Sequence, residues 1–88
     1  MEENEIMREQ IFQIIDNQIN QNDPPETKET YQRLANLGYN DFEVKQLIGQ
    51  CIASELFNIM KNKKPFNPER YIKNLKQLPK EPVEDNDK

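Results

Sequence analysis

The sequence predicts an all-α protein, a compact bundle of three main helices plus a short C-terminal helix. Two observations carry that expectation. Apolar residues recur at intervals of three and four over long stretches, and Pro, Gly and Asn stand where helices begin and end.

The first helix is expected over 2–21. Met7, Ile11, Ile15 and Ile19 form a stripe at helical spacing, with Phe12 and Ile14 alongside. Glu2, Glu3 and Glu5 occupy the first turn, where the helix dipole favours negative charge. Pro24 then disfavours helical geometry in the residue before it. A second helix is expected over 25–37, with Pro25 at its first position, Tyr31, Leu34 and Leu37 as a narrow apolar face, and Gly38 suited to a left-handed residue just past its end.

Asn40 opens the third helix, expected over 41–62, and Glu43 three residues later makes an Asn-capped form of the capping box. Its apolar arc is wide: Val44, Leu47, Ile48, Cys51, Ile52, Leu56, Ile59 and Met60, extended by Phe42, Ala53 and Phe57. A stripe that broad belongs to a helix covered by several others. Gly49 within it implies close approach of a neighbour, since an interior glycine costs about 1 kcal/mol. Asn67 and Pro68 open a short fourth helix over 68–77 with Tyr71, Ile72, Leu75 and Leu78 inward, stopped by Pro79. The helical domain is thus expected over 1–79, with residues 80–88 as a disordered acidic tail.

Length and composition narrow the function. A chain of 88 residues makes one domain with a thin core, and self-association would add to its stability. The composition, rich in Asn, Gln, Lys, Glu and Ile, fits a bacterial source. Cys51 is the only cysteine, no apolar run approaches the ~20 residues of a membrane span, and the N-terminus is acidic, so a cytoplasmic location is expected.

No histidine is present, which removes the commonest general base and metal ligand. Gly38 and Gly49 are the only glycines, too few for a phosphate-cradling loop. Cys51 lies on the apolar arc and reads as a small packed hydrophobe rather than a nucleophile. Glu2, Glu5 and Glu9 share a helix face, but with no converging second element they read as a solvated face and not a metal site. The expectation is a protein that is not an enzyme, with no catalytic residues, no metal and no cofactor.

Three features remain as candidate sites. Glu55 is a polar residue in the middle of the third helix's apolar arc. It reads as a buried acid, either with a raised pKa at an interface or tethered to Arg33, Arg8 or a tyrosine hydroxyl. Phe42, Ala53, Phe57 and Met60 form a strip on the far side of the same helix, which either meets a second copy across a twofold axis or is covered by the first helix. The net charge of −4 is unevenly spread: residues 1–30 carry −6 and residues 61–80 carry +6. The basic stretch comprises Lys61, Lys63, Lys64, Arg70, Lys73, Lys76 and Lys80, with Phe66 and Tyr71 interleaved. It suits a polyanion such as RNA, or reads as a solvated surface.

Residues 34–47, with Gly38, Tyr39, Val44 and Leu47, have the spacing of a helix-turn-helix and faintly resemble the turn of ubiquitin-associated domains. The start of the following helix, Asn40-Asp41-Phe42-Glu43, would set negative charge against phosphates, and any compact corner of two helices gives this spacing. The run Asp23-Pro24-Pro25-Glu26, Tyr31, Arg33-Leu34, Leu37-Gly38-Tyr39, Phe66, Tyr71-Ile72, Leu75 and Leu78-Pro79 resembles a family of small bacterial proteins known as domain of unknown function 1841. That resemblance spans about residues 23–79 and implies a helical fold with no established activity. The function expected is a protein–protein interaction module, homodimeric or with another partner; the alternative is a nucleic-acid-associated accessory protein using the basic stretch 61–80.

Overall fold

A computed structural model describes the backbone of residues 2–80 and the side chains of residues 7–80. It contains four helices, α1 (Glu2–Gln21), α2 (Pro25–Asn36), α3 (Asp41–Asn62) and α4 (Pro68–Gln77), and no strand among the described residues. The expected acidic tail lies outside the described residues except for Lys80, whose amide donates to the Gln77 carbonyl at 3.0 Å.

The helix ends follow local chemistry. At the end of α1 the Asn22 amide donates to the Ile19 carbonyl and the Asp23 amide to Gln18, with Asn22 left-handed at φ 55°. This Schellman closure ends α1 before Pro24 is reached. The same closure ends α2: Gly38, at φ +111°, donates to Ala35 and Tyr39 donates to Leu34. Helix α2 stops at Asn36, and Leu37, expected on its apolar face, is 62% exposed. The capping box at α3 is complete, with Asn40 Oδ1 accepting from the Glu43 amide and Glu43 Oε1 accepting from the Asn40 amide. Asn67 Oδ1 accepts from the Arg70 amide to cap α4.

The pair α2 and α3 forms the middle of the bundle. Helix α1 packs against both, and so does α4. The core consists of Ile11, Ile15, Leu34, Val44, Ile48, Cys51, Ile52, Tyr71, Leu75 and Leu78. Helices α1 and α3 cross at Gly49, where an added Cβ would lie 3.1 Å from Ile11 Cγ2. The glycine therefore sets the approach that the sequence implies. Met7 and Ile14, expected in the α1 stripe, are instead exposed.

The inward face of α2 differs from expectation in kind. It buries Thr27, Thr30 and Leu34 instead of an apolar trio ending at Leu37. The buried Thr27 hydroxyl is tolerated because it finds partners. Thr27 Oγ1 donates to Gln18 Oε1 at 2.7 Å, and the Tyr71 hydroxyl donates to the same oxygen at 2.8 Å. With both protons directed at Gln18, the 3.3 Å contact between Thr27 and Tyr71 is held by their shared acceptor. This small polar cluster joins α1, α2 and α4. No helix among the described residues is long and apolar enough to cross a membrane.

Candidate functional site

Glu55 is buried at 1% exposure, and its partner is Arg70. Arg70 Nε donates to Oε2 at 2.6 Å and Nη2 donates to Oε1 at 3.1 Å, while the Asn67 amide donates to Oε1 at 3.1 Å. The side chains expected to hold Glu55 are engaged elsewhere. Arg33 donates through both Nη atoms to the carbonyls of Leu78 and Leu75 at 2.9 Å each, closing the end of α4, and Arg8 lies over the Phe42 ring at 5.9 Å. Arg70 was legible only as one cation in a basic stretch. The loop after α3 returns the chain so that the first turn of α4 faces Glu55, a long-range fact that wheel geometry of α3 alone does not contain.

The basic stretch is consequently divided. Arg70 turns inward to Glu55. Lys61, Lys63 and Lys64 lie at the end of α3 and in the following loop, all exposed. Lys73 and Lys76 share the outer face of α4 with Glu69, Ile72 and Gln77, and Lys76 also borders Glu26, Glu29 and Arg33 of the neighbouring α2. Glu69 of α4 and Glu26 and Glu29 of α2 thus stand among these cations, and the lysines do not converge on a single groove.

Cys51 is buried among the core side chains, and burial first, with the negative charge of Glu55 second, pushes its thiol up to about 12. A thiol so protonated near neutral pH is a packing residue. Burial likewise raises the Tyr71 hydroxyl to about 12. Among the described residues no three His, Cys, Asp or Glu side chains are grouped to hold a metal ion; of the acidic trio on α1, the side chains of Glu2 and Glu5 lie outside the described residues.

The strip on the outer side of α3 is present but split. Phe42 is 47% exposed and packs edge-on against Phe12 with ring centroids 5.7 Å apart, so α1 partly covers this end. Fifteen residues on, about 22 Å along the helix axis, Phe57 and Met60 are 54% and 73% exposed. Ala53 is half-buried against the core. Lys61 places its Nζ 5.3 Å from the Phe57 ring centroid, a cation against the ring face.

Between the two ends lies a feature absent from the sequence reading. Tyr39, Glu43, Gln46, Leu47 and Gln50 line an open hollow of about 210 Å³. Leu47, expected in the core arc, is half-buried and forms part of this floor. Its position at the edge of the wheel, next to Glu43 and Gln50, was the available signal. Glu43, Gln46, Gln50, Phe57 and Lys61 are all exposed and follow one another at helical spacing, so the hollow and Phe57 belong to one outward face. Compared with known proteins, the chain matches no family model, no curated protein sequence and no solved structure.

Proposed function

We propose that this chain acts by protein–protein contact through the outward face of α3. The observation that carries the reading is the exposure of Phe57 and Met60, 54% and 73%, on a helix whose opposite side is fully covered. Two large apolar side chains held out by a rigid, three-sided helix are the kind of anchor that a partner's surface buries. The hollow lies two turns of helix away, lined by Tyr39, Glu43, Gln46, Leu47 and Gln50 on the same outward face. A bacterial cytoplasmic setting and membership of the family of unknown function belong to the same proposal. The first is supported by the composition and the single cysteine, the second by the residues around Tyr31, Gly38 and Tyr71.

The test is affinity capture from the source cell with the wild type and a Phe57→Glu variant, each with and without nuclease. Retention of a protein that resists nuclease and is lost with Phe57→Glu is the expected result. Retention abolished by nuclease and unaffected by Phe57→Glu would overturn the reading in favour of the basic stretch.

A further inference from the structure

The outward face of α3 carries a projection and a recess of matching chemistry. The projection is Phe57 with the Lys61 ammonium beside its ring. The recess is the hollow whose apolar wall is Leu47 and Tyr39 and whose rim carries the Glu43 carboxylate. That carboxylate is fixed in place because its Oε1 accepts from the Asn40 amide. An apolar cavity of about 150 Å³ admits benzene, so a hollow of about 210 Å³ has room for a phenyl side chain.

The spacing of the two features is what identifies the occupant. Lys61 follows Phe57 by four residues, and Glu43 precedes Leu47 by four. A twofold axis crossing α3 at the level of Ile52 would therefore place Phe57 opposite the partner copy's hollow and Lys61 opposite its Glu43 in a single register. Between these layers the face carries Gln50, Ala53 and Ser54, small or slender side chains that allow two helices to approach. Isologous pairing of this kind requires a surface to be complementary to itself under a twofold rotation, and this face meets the requirement in shape and in charge. A generic acidic or basic partner would match only one end of the face.

We propose that the partner of this surface is a second copy of the chain, paired antiparallel through α3, with Phe57 of each copy seated against Leu47 and Tyr39 of the other and Lys61 beside Glu43. The proposal rests on the reading of this face as a protein-contact surface and names its occupant. Phe42, packed on Phe12, takes no part in the central contact, and Met60 flanks Phe57 at its edge. One helix pair buries less than the ~1,600 Å² of a standard interface, so association is weak and measurement has to extend to high concentration.

The experiment is sedimentation equilibrium of the whole chain up to about 1 mM, a range that reports micromolar and weaker dimers. The variants are Lys61→Glu, Glu43→Lys and the two combined, with circular dichroism confirming that each is folded. The wild type should dimerise, each single change should weaken association by roughly tenfold or more through like-charge opposition, and the double change should restore it. A monomeric wild type, an unaffected single variant or an unrestored double variant overturns the proposal. Should Glu43→Lys fail to fold, a second measurement decides. An equal mixture of Glu43→Cys and Lys61→Cys proteins treated with a short bis-maleimide should crosslink unlike variants and leave each variant alone uncrosslinked. Crosslinks between like variants, or none in the mixture, overturn it. A monomeric wild type whose Phe57→Glu variant still loses a captured protein would remove self-pairing and leave the broader contact reading standing.

Discussion

Arg70 closes on Glu55 through two parallel donors, and the pair fastens the first turn of α4 to the middle of α3. The two side chains are 14% and 1% exposed, so the pair sits at the inner edge of the core. Nε and Nη2 meet the two carboxylate oxygens at 2.6 and 3.1 Å, and the Asn67 amide at 3.1 Å takes a further acceptor site. The short helix α4 has only ten residues and would not hold by itself. Its attachment comes from this pair at one end, from Arg33 at the other, and from Tyr71 and Leu75 between.

Removing one partner of that pair should be far worse than removing both. Arg70→Ala leaves a buried carboxylate with the Asn67 amide as its remaining donor, and the expected loss is about 3–5 kcal/mol. That is a large share of the roughly 5–15 kcal/mol available to a small domain. Arg70→Lys should recover little of it, because an ammonium cannot make the two-pronged contact. The double change Glu55→Leu with Arg70→Leu should cost less than Arg70→Ala. Urea titration followed by circular dichroism measures all three, and equal losses in the single and double variants would refute the account.

The architecture was legible in the sequence because its signals are local. Asn40 with Glu43, Pro25, Pro68 and Gly38 act within one turn of where they stand, and each marks the boundary that the structure has. The candidate site was legible only in part. Wheel geometry identifies Phe57 as outward and Glu55 as inward, since both follow from position on α3. It cannot supply Arg70 as the partner of Glu55, or Thr27 as a core residue, because those depend on which helix arrives opposite. Thr27 is acceptable inside only because Gln18, nine residues earlier, lends an acceptor at 2.7 Å. Leu37 fails for the complementary reason: its spacing is right and its backbone at the C-cap is still helical, but nothing among the described residues packs over it and it is 62% exposed.

Alkaline pH should loosen this core in two overlapping steps. Burial raises the Cys51 thiol from 9.0 to about 12 and the Tyr71 hydroxyl from 10.0 to about 12. Both groups are neutral when protonated, so the folded chain holds these protons more tightly than the unfolded chain. Their contribution to stability is therefore complete below pH 9 and is lost as pH rises toward 12. Stability measured by urea titration at each pH should begin to fall above pH 9 in the wild type, and Cys51→Ala should move that onset toward 10, the ordinary Tyr71 value. In the same experiment a thiol reagent at mildly alkaline pH should label Cys51 only after denaturant is added. Rapid labelling of the folded chain would show the thiol to be accessible and the assignment mistaken.

Arg33 should act on one end of one helix. Its two donors reach the Leu75 and Leu78 carbonyls at 2.9 Å, at a helix end where the i+4 amides of a continuing helix are missing and Leu75 has only the Leu78 amide, at 3.2 Å, besides. Arg33→Ala removes two charge-assisted hydrogen bonds, for an expected cost of about 2 kcal/mol. Hydrogen exchange should accelerate first at the amides of Leu78 and Lys80, which close the last turn. Uniform acceleration through α1 and α3 with no excess at these amides would show that Arg33 supports the whole fold and does not cap α4.

Gly49→Ala decides whether the α1–α3 crossing is set by contact or by chance. On an exposed helix this change stabilises by about 1 kcal/mol, because alanine restricts the unfolded chain and favours the helix. Here the new Cβ would stand 3.1 Å from Ile11 Cγ2 and 4.0 Å from Ile15 Cδ1. The first of these is a methyl on a β-branched carbon, whose χ1 is nearly fixed in a helix, so the side chain cannot swing aside. Relief has to come from moving α1 outward, which loosens the packing of Ile11 and Ile15 and offsets the helical gain. The expected result is a net loss of about 1 kcal/mol for Gly49→Ala and roughly 3 kcal/mol for Gly49→Val. Ile11→Ala removes the obstructing methyl, so in that background Gly49→Ala should turn stabilising, although Ile11→Ala itself costs about 2–5 kcal/mol. A change of sign between the two backgrounds, measured as a double-mutant cycle by thermal unfolding, identifies the contact. Gly49→Ala stabilising equally in both would show that α1 already has room at the crossing.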